Sequence, residues 1–155
     1  NYNGAKGTVI ILDNRITGMT GHQDNPSTGK NAKGQEAPAI DIATLCKACG
    51  VKHVVEIDPF EVKDLEKIVK EETERDELSV IITKRPCALI VKQPNIPYAV
   101  SDKCKNCRLC MDIGCPAIEL KDGKPYIVRE RCVGCGLCEK ICPFGCIGIT
   151  GKEEI

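Results

Sequence analysis

Two runs of cysteine lie close together in the last third of the chain. The first run contains Cys104, Cys107, Cys110 and Cys115, and the second contains Cys132, Cys135, Cys138 and Cys142. The second run has the spacing C-x2-C-x2-C-x3-C-P, which is typical of chains that hold iron–sulfur clusters with cysteine thiolates. The first run has one additional residue before its fourth cysteine, and a proline follows the fourth cysteine of each run. This pattern predicts two 4Fe–4S clusters.

In proteins with two such runs, the fourth cysteine of each run ligates the cluster held by the other run. One cluster is therefore assigned to Cys104, Cys107, Cys110 and Cys142. The other cluster is assigned to Cys132, Cys135, Cys138 and Cys115. The first three thiolates of a run wrap a loop around three irons, whereas the fourth iron must be reached from a distant point of the chain. The additional residue before Cys115 is expected to lengthen only that approach.

Zinc and disulfide bonds are the alternatives for these cysteines. Zinc also binds C-x2-C pairs, but two triplets that are each followed by a Cys-Pro pair fit a four-ligand zinc site poorly. Disulfides form in oxidising compartments, and the sequence shows no N-terminal basic-then-apolar export signal. The iron–sulfur prediction is therefore preferred, and the chain is expected in a reducing cytoplasm.

The segment between the two runs supports a small ferredoxin-like domain. Residues 118–120 and 126–128 are apolar-rich and are separated by the pair Asp122-Gly123, which predicts a β-hairpin. Basic side chains lie among the cysteines, namely Lys103, Lys105, Arg108 and Lys140. Two interpretations of them stay open, since they either offset the negative charge of the clusters or form a solvated surface. An α+β ferredoxin-like domain is predicted for residues 101–155.

The composition of the whole chain limits its partners. Its 155 residues are enough for one or two domains. The 22 Lys and Arg residues balance the 22 Asp and Glu residues, so no nucleic acid partner is expected. No apolar run approaches the roughly 18 residues that a membrane span needs, so no membrane insertion is expected.

Strand and helix patterns alternate before the cysteine runs. Apolar, β-branched runs predict three strands, at residues 7–12, 53–57 and 78–83, and the first strand is expected to be buried. Apolar residues at helical spacing predict two helices, at residues 39–49 and 61–75. Strand–helix–strand–helix–strand order predicts a parallel sheet with right-handed crossovers.

These elements suggest how the chain is divided. Residues 1–91 are predicted to be the C-terminal part of a larger α/β domain, because three strands and two helices make a thin sheet. Residues 92–100 contain Pro94 and Pro97 and are predicted to be an extended linker into the second domain.

The predicted first helix carries a second C-x2-C pair. Ile42, Leu45, Cys46 and Cys49 are spaced to share one apolar face, and Gly50 is a natural stop after the helix. Buried cysteine behaves as a small hydrophobic residue, so Cys46 and Cys49 are interpreted as packing residues. Cys146 is interpreted in the same way, and Cys87 is given no role.

A long polar segment, residues 14–37, follows the first strand. Loops of this length are uncommon unless they are functional or disordered, and open α/β sheets bind ligands beyond the carboxyl ends of their strands. A function is therefore favoured for this segment. The stretch from Lys84 to Cys87 ends the third strand at the same edge of the sheet as Asn14.

The segment from Leu12 to Gln23 reads L-D-N-R-I-T-G-M-T-G-H-Q and resembles the thiamine-diphosphate-binding domain of the 2-oxoacid:ferredoxin oxidoreductases. Within that family, it is similar to the large (alpha) subunits of indolepyruvate ferredoxin oxidoreductases. Later blocks of this family are also matched, namely G-V-K-H-V from Gly50, D-P at Asp58 and R-P-C from Arg85. The same subunits end in a domain with two clusters, so the resemblance covers essentially the whole chain.

The resemblance implies a Mg2+ site and a diphosphate site. Asn14 matches the asparagine whose side-chain oxygen binds the Mg2+ that bridges the cofactor's diphosphate, and Ile16 matches the position that supplies a backbone carbonyl. Oxygen ligands suit Mg2+, which takes few of them from protein. The segment that follows is expected to approach the diphosphate with its backbone N–H groups, at Gly18, Met19, Thr20 and Gly21. No catalytic residue is assigned.

The resemblance also implies what should lie elsewhere in the parent protein. The family's G-D-G motif, whose aspartate is another Mg2+ ligand, belongs upstream of Asn14, and residues 1–13 contain no G-D-G. The glutamate that activates thiamine is also expected outside this sequence. The chain is therefore expected to be a fragment that is inactive alone.

The implied activity is oxidative decarboxylation of arylpyruvates such as indolepyruvate, which forms the acyl-CoA and passes electrons through two 4Fe–4S clusters to ferredoxin. Implied partners are the beta subunit of the same enzyme in a hetero-oligomer, an external ferredoxin, and CoA. Two alternatives stay open: an electron-transfer subunit in which the α/β part is a docking domain, and a related enzyme that acts on pyruvate or another 2-oxo acid.

Overall fold

The computed structural model describes residues 1–91 and 96–149. The chain divides into two units, residues 1–91 and residues 92–155. No helix in the described part of the chain is both long and apolar enough to cross a membrane.

The first unit is a three-stranded parallel sheet with two helices. Its strands are β1 (Gly7–Asp13), β2 (His53–Ile57) and β3 (Leu78–Lys84), and its helices are α1 (Ile42–Ala48) and α2 (Val62–Thr73). The strand order is β1-β3-β2, and β3 pairs in parallel with both neighbours. The predicted α/β architecture with a parallel sheet is therefore confirmed.

The central strand β3 carries the core of this unit. Ile81 and Ile82 are fully buried, and Val80 packs with Val51 beneath α1. A β-branched run suits a strand that is covered on both faces, and this describes β3. The predicted inward residues of α2 are half-buried, namely Val62, Leu65, Ile68 and Val69.

The prediction that β1 is buried is wrong for the described structure. Val9, Ile10 and Leu12 are 48%, 47% and 76% exposed. The physical reason is position, because β1 lies at the edge of the sheet and is paired only with β3 among the described strands. An apolar run does not distinguish a central strand from an edge strand.

Helix α1 is shorter than predicted, and its apolar face is narrower. Asp41 caps the helix by accepting a hydrogen bond from Thr44 N at 2.6 Å, and Gly50 follows its end with φ +86°. Ile42 and Cys46 pack on the core, but Leu45 is 53% exposed and Cys49 is also exposed. The predicted four-residue buried face is therefore wrong for two of its members.

The second unit contains two antiparallel strand pairs. Strand β4 (Tyr98–Val100) pairs with β7 (Ile147–Ile149), and β5 (Ile118–Lys121) pairs with β6 (Lys124–Ile127). Helix α3 (Leu137–Ile141) lies between β6 and β7, and short 3-10 turns span Leu109–Met111 and Arg129–Arg131.

The predicted hairpin between the cysteine runs is confirmed. Asp122 and Gly123 connect β5 to β6 with φ values of 52° and 77°, which is the conformation that Asp-Gly favours in a tight hairpin. Ile118 and Ile127 face each other across this hairpin and join a core that includes Tyr98 and Ile147.

Strand β4 lies inside the stretch that was predicted as a linker. Residues 98–100 belong instead to the sheet that closes the second unit. Residues 92–95 of that stretch, and residues 150–155 at the end of the predicted second domain, lie outside the described residues.

Candidate functional site

The first predicted set of cluster ligands lines one cavity of the second unit. Its walls include Cys104, Cys107, Cys110 and Cys142. Three of these cysteines come from one loop, and Cys142 comes from the end of α3. Cys115, the fourth cysteine of the first run, is not among the lining residues. The cavity therefore groups the crosswise set rather than four consecutive cysteines.

The second predicted set is recognised by its electrostatics. Burial, with smaller contributions from the nearby Cys135, Cys132 and Cys115, raises the pKa of the Cys138 thiol to about 12. Burial also raises the pKa of Cys110, where the contributing thiols are Cys104, Cys142 and Cys107. The two neighbourhoods coincide with the two ligand sets derived from spacing.

The buried thiols fit a metal cluster chemically. Cys110 is 7% exposed and Cys138 is 8% exposed, and burial without a cation opposes the thiolate form. Iron–sulfur clusters bind thiolates, and metal binding is coupled to their deprotonation. Cluster irons would therefore stabilise the charged form that these sites otherwise disfavour.

Both cysteine loops have the same backbone shape. Asn106 and Gly134 occupy equivalent positions with φ values of 55° and 68°, and Arg108 and Gly136 do so with 64° and 81°. Two left-handed residues within seven positions curl each loop so that its three thiols can turn to one side. The shared shape is expected from the shared spacing, although only the second loop has glycines at these positions.

Backbone N–H groups point at three of the sulfur atoms. Tyr98 N donates to Cys132 Sγ at 3.5 Å, Asn106 N donates to Cys104 Sγ at 3.4 Å, and Cys146 N donates to Cys142 Sγ at 3.3 Å. Hydrogen bonds to cluster sulfurs are one of the means by which a protein sets a reduction potential.

In the described part of the chain, no three or more His, Cys, Asp or Glu side chains are placed to hold a single metal ion. A single ion draws all its ligands onto one atom, whereas a 4Fe–4S cluster places each thiolate on a different iron. The lack of a single-ion arrangement among the described residues is therefore compatible with cysteines spread around a cluster.

The remaining cysteines lie in different surroundings. Cys146 is 4% exposed, and its thiol donates to Phe144 O at 3.4 Å. Cys46 and Cys87 are half-buried, and Cys49 is exposed. All four are free thiols.

The candidate Mg2+ ligands lie directly after β1. Asn14 is exposed, and its Oδ1 accepts a hydrogen bond from Ile16 N at 3.2 Å. A carbonyl oxygen has two lone pairs, so Oδ1 retains one for a cation. The Asn14 amide oxygen and the backbone carbonyl of Ile16 are oxygen donors of the kind that Mg2+ prefers. The chemistry of these donors therefore fits the ion.

A network that the sequence analysis missed holds Arg15, the residue between the two candidate ligands. Asp13 is buried and accepts hydrogen bonds from Arg15 N and Arg15 Nη1, each at 3.0 Å. Arg15 Nη2 donates to Ser27 O at 2.9 Å, and Arg15 has a φ of 60°. The sequence does carry a signal for this network, because Asp13 ends an apolar strand two positions before Arg15.

The next segment forms a tight turn. Thr17 and Gln23 exchange two backbone hydrogen bonds of 2.9 and 3.1 Å, and Gly21 N donates to Gly18 O at 3.3 Å. The Thr20 hydroxyl donates to Gln23 Oε1 at 3.0 Å, and Met19 is fully exposed. The four predicted diphosphate-binding residues are thus presented together at the tip of one turn.

The end of β3 lies beside Asn14, as predicted. Cys87 N donates to Asn14 O at 3.0 Å, and Arg85 N donates to Asp13 O at the same distance. The Arg85 guanidinium pairs with Asp58 at 2.6 Å and stacks 3.6 Å from the centre of the Phe60 ring. The carboxyl ends of all three strands therefore contribute residues to this edge.

Comparison with known families matches different families to the two units of the chain. A family model described as thiamine pyrophosphate enzyme, C-terminal TPP binding domain, matches residues 1–83. Two models described as 4Fe-4S binding domains match residues 101–118 and 125–148. No solved structure is significantly similar to the chain.

Curated relatives are similar over most of this chain. Indolepyruvate oxidoreductase subunit IorA of Archaeoglobus fulgidus is 34% identical over 92% of the chain and 24% of the relative. The subunit of the same name from Methanothermobacter thermautotrophicus is 36% identical over 97% of the chain and 25% of the relative. The 2-oxoglutarate synthase subunit KorB of Archaeoglobus fulgidus is 29% identical over 52% of the chain and 32% of the relative. The chain thus spans about a quarter of the length of the two IorA relatives.

Proposed function

The chain belongs to the thiamine pyrophosphate enzymes, and from this premise we propose that it is part of a 2-oxoacid:ferredoxin oxidoreductase. Its parent enzyme oxidatively decarboxylates arylpyruvates, indolepyruvate in particular, and forms the acyl-CoA. One 2-oxo acid, one CoA and two oxidised ferredoxins give one acyl-CoA, one CO2, two reduced ferredoxins and one proton.

One observation carries this proposal. The same chain joins a thiamine pyrophosphate domain to two grouped sets of four cysteines. A decarboxylase that releases no electrons has no use for clusters, and an isolated electron carrier has no use for a thiamine site. The names of the IorA relatives support indolepyruvate as the substrate.

In the first unit, Asn14 Oδ1 and the Ile16 carbonyl hold Mg2+. The turn presents the backbone N–H groups of Gly18, Met19 and Thr20 to the diphosphate, since Gly21 N already donates to Gly18 O. Bound thiamine diphosphate supplies the carbon nucleophile and the electron sink that decarboxylation of a 2-oxo acid requires. Arg15 holds the backbone between the two Mg2+ ligands through Asp13.

In the second unit, each set of four cysteines holds one 4Fe–4S cluster, which supplies one-electron redox chemistry. The N–H groups of Tyr98, Asn106 and Cys146 stabilise the thiolate charge. The chain works with a beta subunit in a hetero-oligomer, in the reducing cytoplasm that its free cysteines favour.

The test is a substrate comparison on the full enzyme, purified without oxygen together with its second subunit. Ferredoxin reduction is measured with CoA and either indolepyruvate, pyruvate or 2-oxoglutarate. We expect the largest kcat/KM with indolepyruvate. A preference for pyruvate or 2-oxoglutarate would reject the arylpyruvate assignment, and no reduction with any 2-oxo acid would reject the enzyme class.

The variant Asn14→Ala connects the activity to the described site. We expect it to abolish 2-oxo-acid-dependent reduction while both clusters keep their electron paramagnetic resonance signals. Lys63→Gln, on the exposed side of α2, is the matched control and should retain activity. Unchanged activity in Asn14→Ala would remove Asn14 from the Mg2+ site.

A further inference from the structure

We propose that a basic face beside the first cysteine set is the docking site for an acidic electron-carrier protein. This basic face consists of four cations and two exposed apolar residues: Lys105, Arg108, Lys121, Lys124, Leu109 and Phe144. The inference rests on the proposed function and deepens it, because it selects the side of the second unit on which the carrier binds.

The residues of the basic face are contiguous. Lys105, Arg108, Leu109 and Phe144 line the same cavity as the first cysteine set. Lys121 and Lys124 line an adjoining groove that also contains Cys104. Arg108 Nη2 donates to Gly123 O at 3.4 Å, so the cysteine loop touches the hairpin turn between the two lysines.

The charge of the basic face is not neutralised locally. In the described ranges, none of its four cations forms an ion pair with a carboxylate. Lys121 Nζ lies 5.5 Å from the centre of the Tyr126 ring, which leaves its charge intact. Among the described residues that line the cavity and the groove, the carboxylates are Asp102 and Asp122.

The surroundings of the second cysteine set are different. Arg131 beside Cys132 is paired with Glu119. Three cations and three carboxylates flank this set, namely Arg129, Arg131, Lys140, Glu119, Glu130 and Glu139. The cavity and groove beside the first set are lined by four cations and two carboxylates, so this face carries a net positive charge.

Exposed apolar surface completes the basic face. Leu109 is 44% exposed and Phe144 is 54% exposed, and both lie at the rim of the first cysteine cavity. Short-lived electron-transfer complexes bury small interfaces, in which apolar contacts lie within a charged rim. Charge complementarity steers the encounter and selects the partner, so these cations select a carrier with an acidic surface.

The test measures binding without turnover. The dissociation constant of an oxidised, acidic two-cluster ferredoxin for the full enzyme is measured by titration calorimetry at low and high salt. The variant carries Lys105→Gln, Lys121→Gln and Lys124→Gln together. Arg129→Gln, which removes one exposed cation on the side of the second set, is the control for position.

We expect the triple variant to raise the dissociation constant at least about tenfold at low salt, and Arg129→Gln to leave it near the wild-type value. Because salt screens exposed charges, the difference should shrink at high salt. An unchanged dissociation constant in the triple variant, or an equal loss in Arg129→Gln, would overturn the proposal.

Two further readouts separate the competing roles of these lysines. If they only offset cluster charge, a redox titration will shift the potential of the first cluster while ferredoxin binding is kept, which would overturn the docking site. Reduction of methyl viologen by indolepyruvate tests the proposed function separately, because this small dye needs no protein docking site. Its absence in the wild-type enzyme would reject the proposed function and leave the binding result standing.

Discussion

The buried carboxylate of Asp13 accepts two hydrogen bonds from Arg15, one from the backbone N–H and one from the guanidinium, each at 3.0 Å. The residue between them is Asn14, the candidate Mg2+ ligand. Arg15 also donates to Ser27 O, so the start of the long polar segment is tied to a later part of it. These bonds hold Arg15 at a φ of 60°, a left-handed backbone conformation that residues other than glycine adopt reluctantly.

This arrangement makes Arg15 a positioning residue for the Mg2+ site. In Arg15→Lys the planar fork that reaches both Asp13 and Ser27 is lost, because an ammonium group cannot reproduce its geometry. We expect the dissociation constant of Mg2+-thiamine diphosphate for the full enzyme to rise about tenfold, measured by calorimetry, with cluster signals unchanged. Wild-type affinity in Arg15→Lys would show that the fork has no positioning role.

The cysteine sets could be derived from spacing because cluster ligation restricts spacing directly. The parallel sheet and the Asp-Gly hairpin followed from local periodicity and turn chemistry in the same way. The exposure of Leu12 and Leu45 could not be derived, because it depends on which elements cover them. The Asp13–Ser27 connection through Arg15 was also hidden, since it joins residues whose proximity only the folded loop creates.

The crosswise assignment predicts which cysteine variants share a phenotype. Cys107→Ser and Cys142→Ser should lose the same 4Fe–4S signal in electron paramagnetic resonance, with about half of the bound iron. Cys135→Ser and Cys115→Ser should both lose the other signal. Cys146→Ser is the control and should keep both signals, because its thiol donates to Phe144 O. If Cys142→Ser and Cys135→Ser lose the same signal, the ligation is not crosswise.

Gly136 is predicted to be intolerant of a side chain. Its φ is 81°, and a Cβ there would lie 2.8 Å from Tyr98 Oη. Gly136→Ala should therefore lower the unfolding free energy of the second unit by more than the roughly 1 kcal/mol that a left-handed alanine costs. Gly145→Ala has φ 59° and open space around it, so it should show the conformational cost alone. Chemical denaturation of the two variants decides this, and equal losses would contradict the steric argument.

Glu72 should give the first unit a pH-dependent part of its stability. Its side chain is 4% exposed, and Oε2 accepts a hydrogen bond of 2.7 Å from Arg75 Nε. This bond lowers the pKa of Glu72 below its ordinary value of 4.5. A carboxylate with a lowered folded-state pKa stabilises the fold above its unfolded-state pKa, and this stabilisation is lost as the pH falls through the folded-state value.

Amide hydrogen exchange of β3 measures this effect within the whole chain. Protection in the wild type should exceed that in Glu72→Gln at about pH 6, and the difference should shrink as the pH falls below about 4.5. Glu74→Gln is the control, because Glu74 is exposed and makes no ion pair with a described residue. The Glu72–Arg75 bond would have no role in stability if Glu72→Gln and Glu74→Gln gave the same protection at every pH. We expect the two variants to differ, because Glu72 is buried and Glu72→Gln leaves the Arg75 guanidinium with a neutral acceptor in place of a charged one.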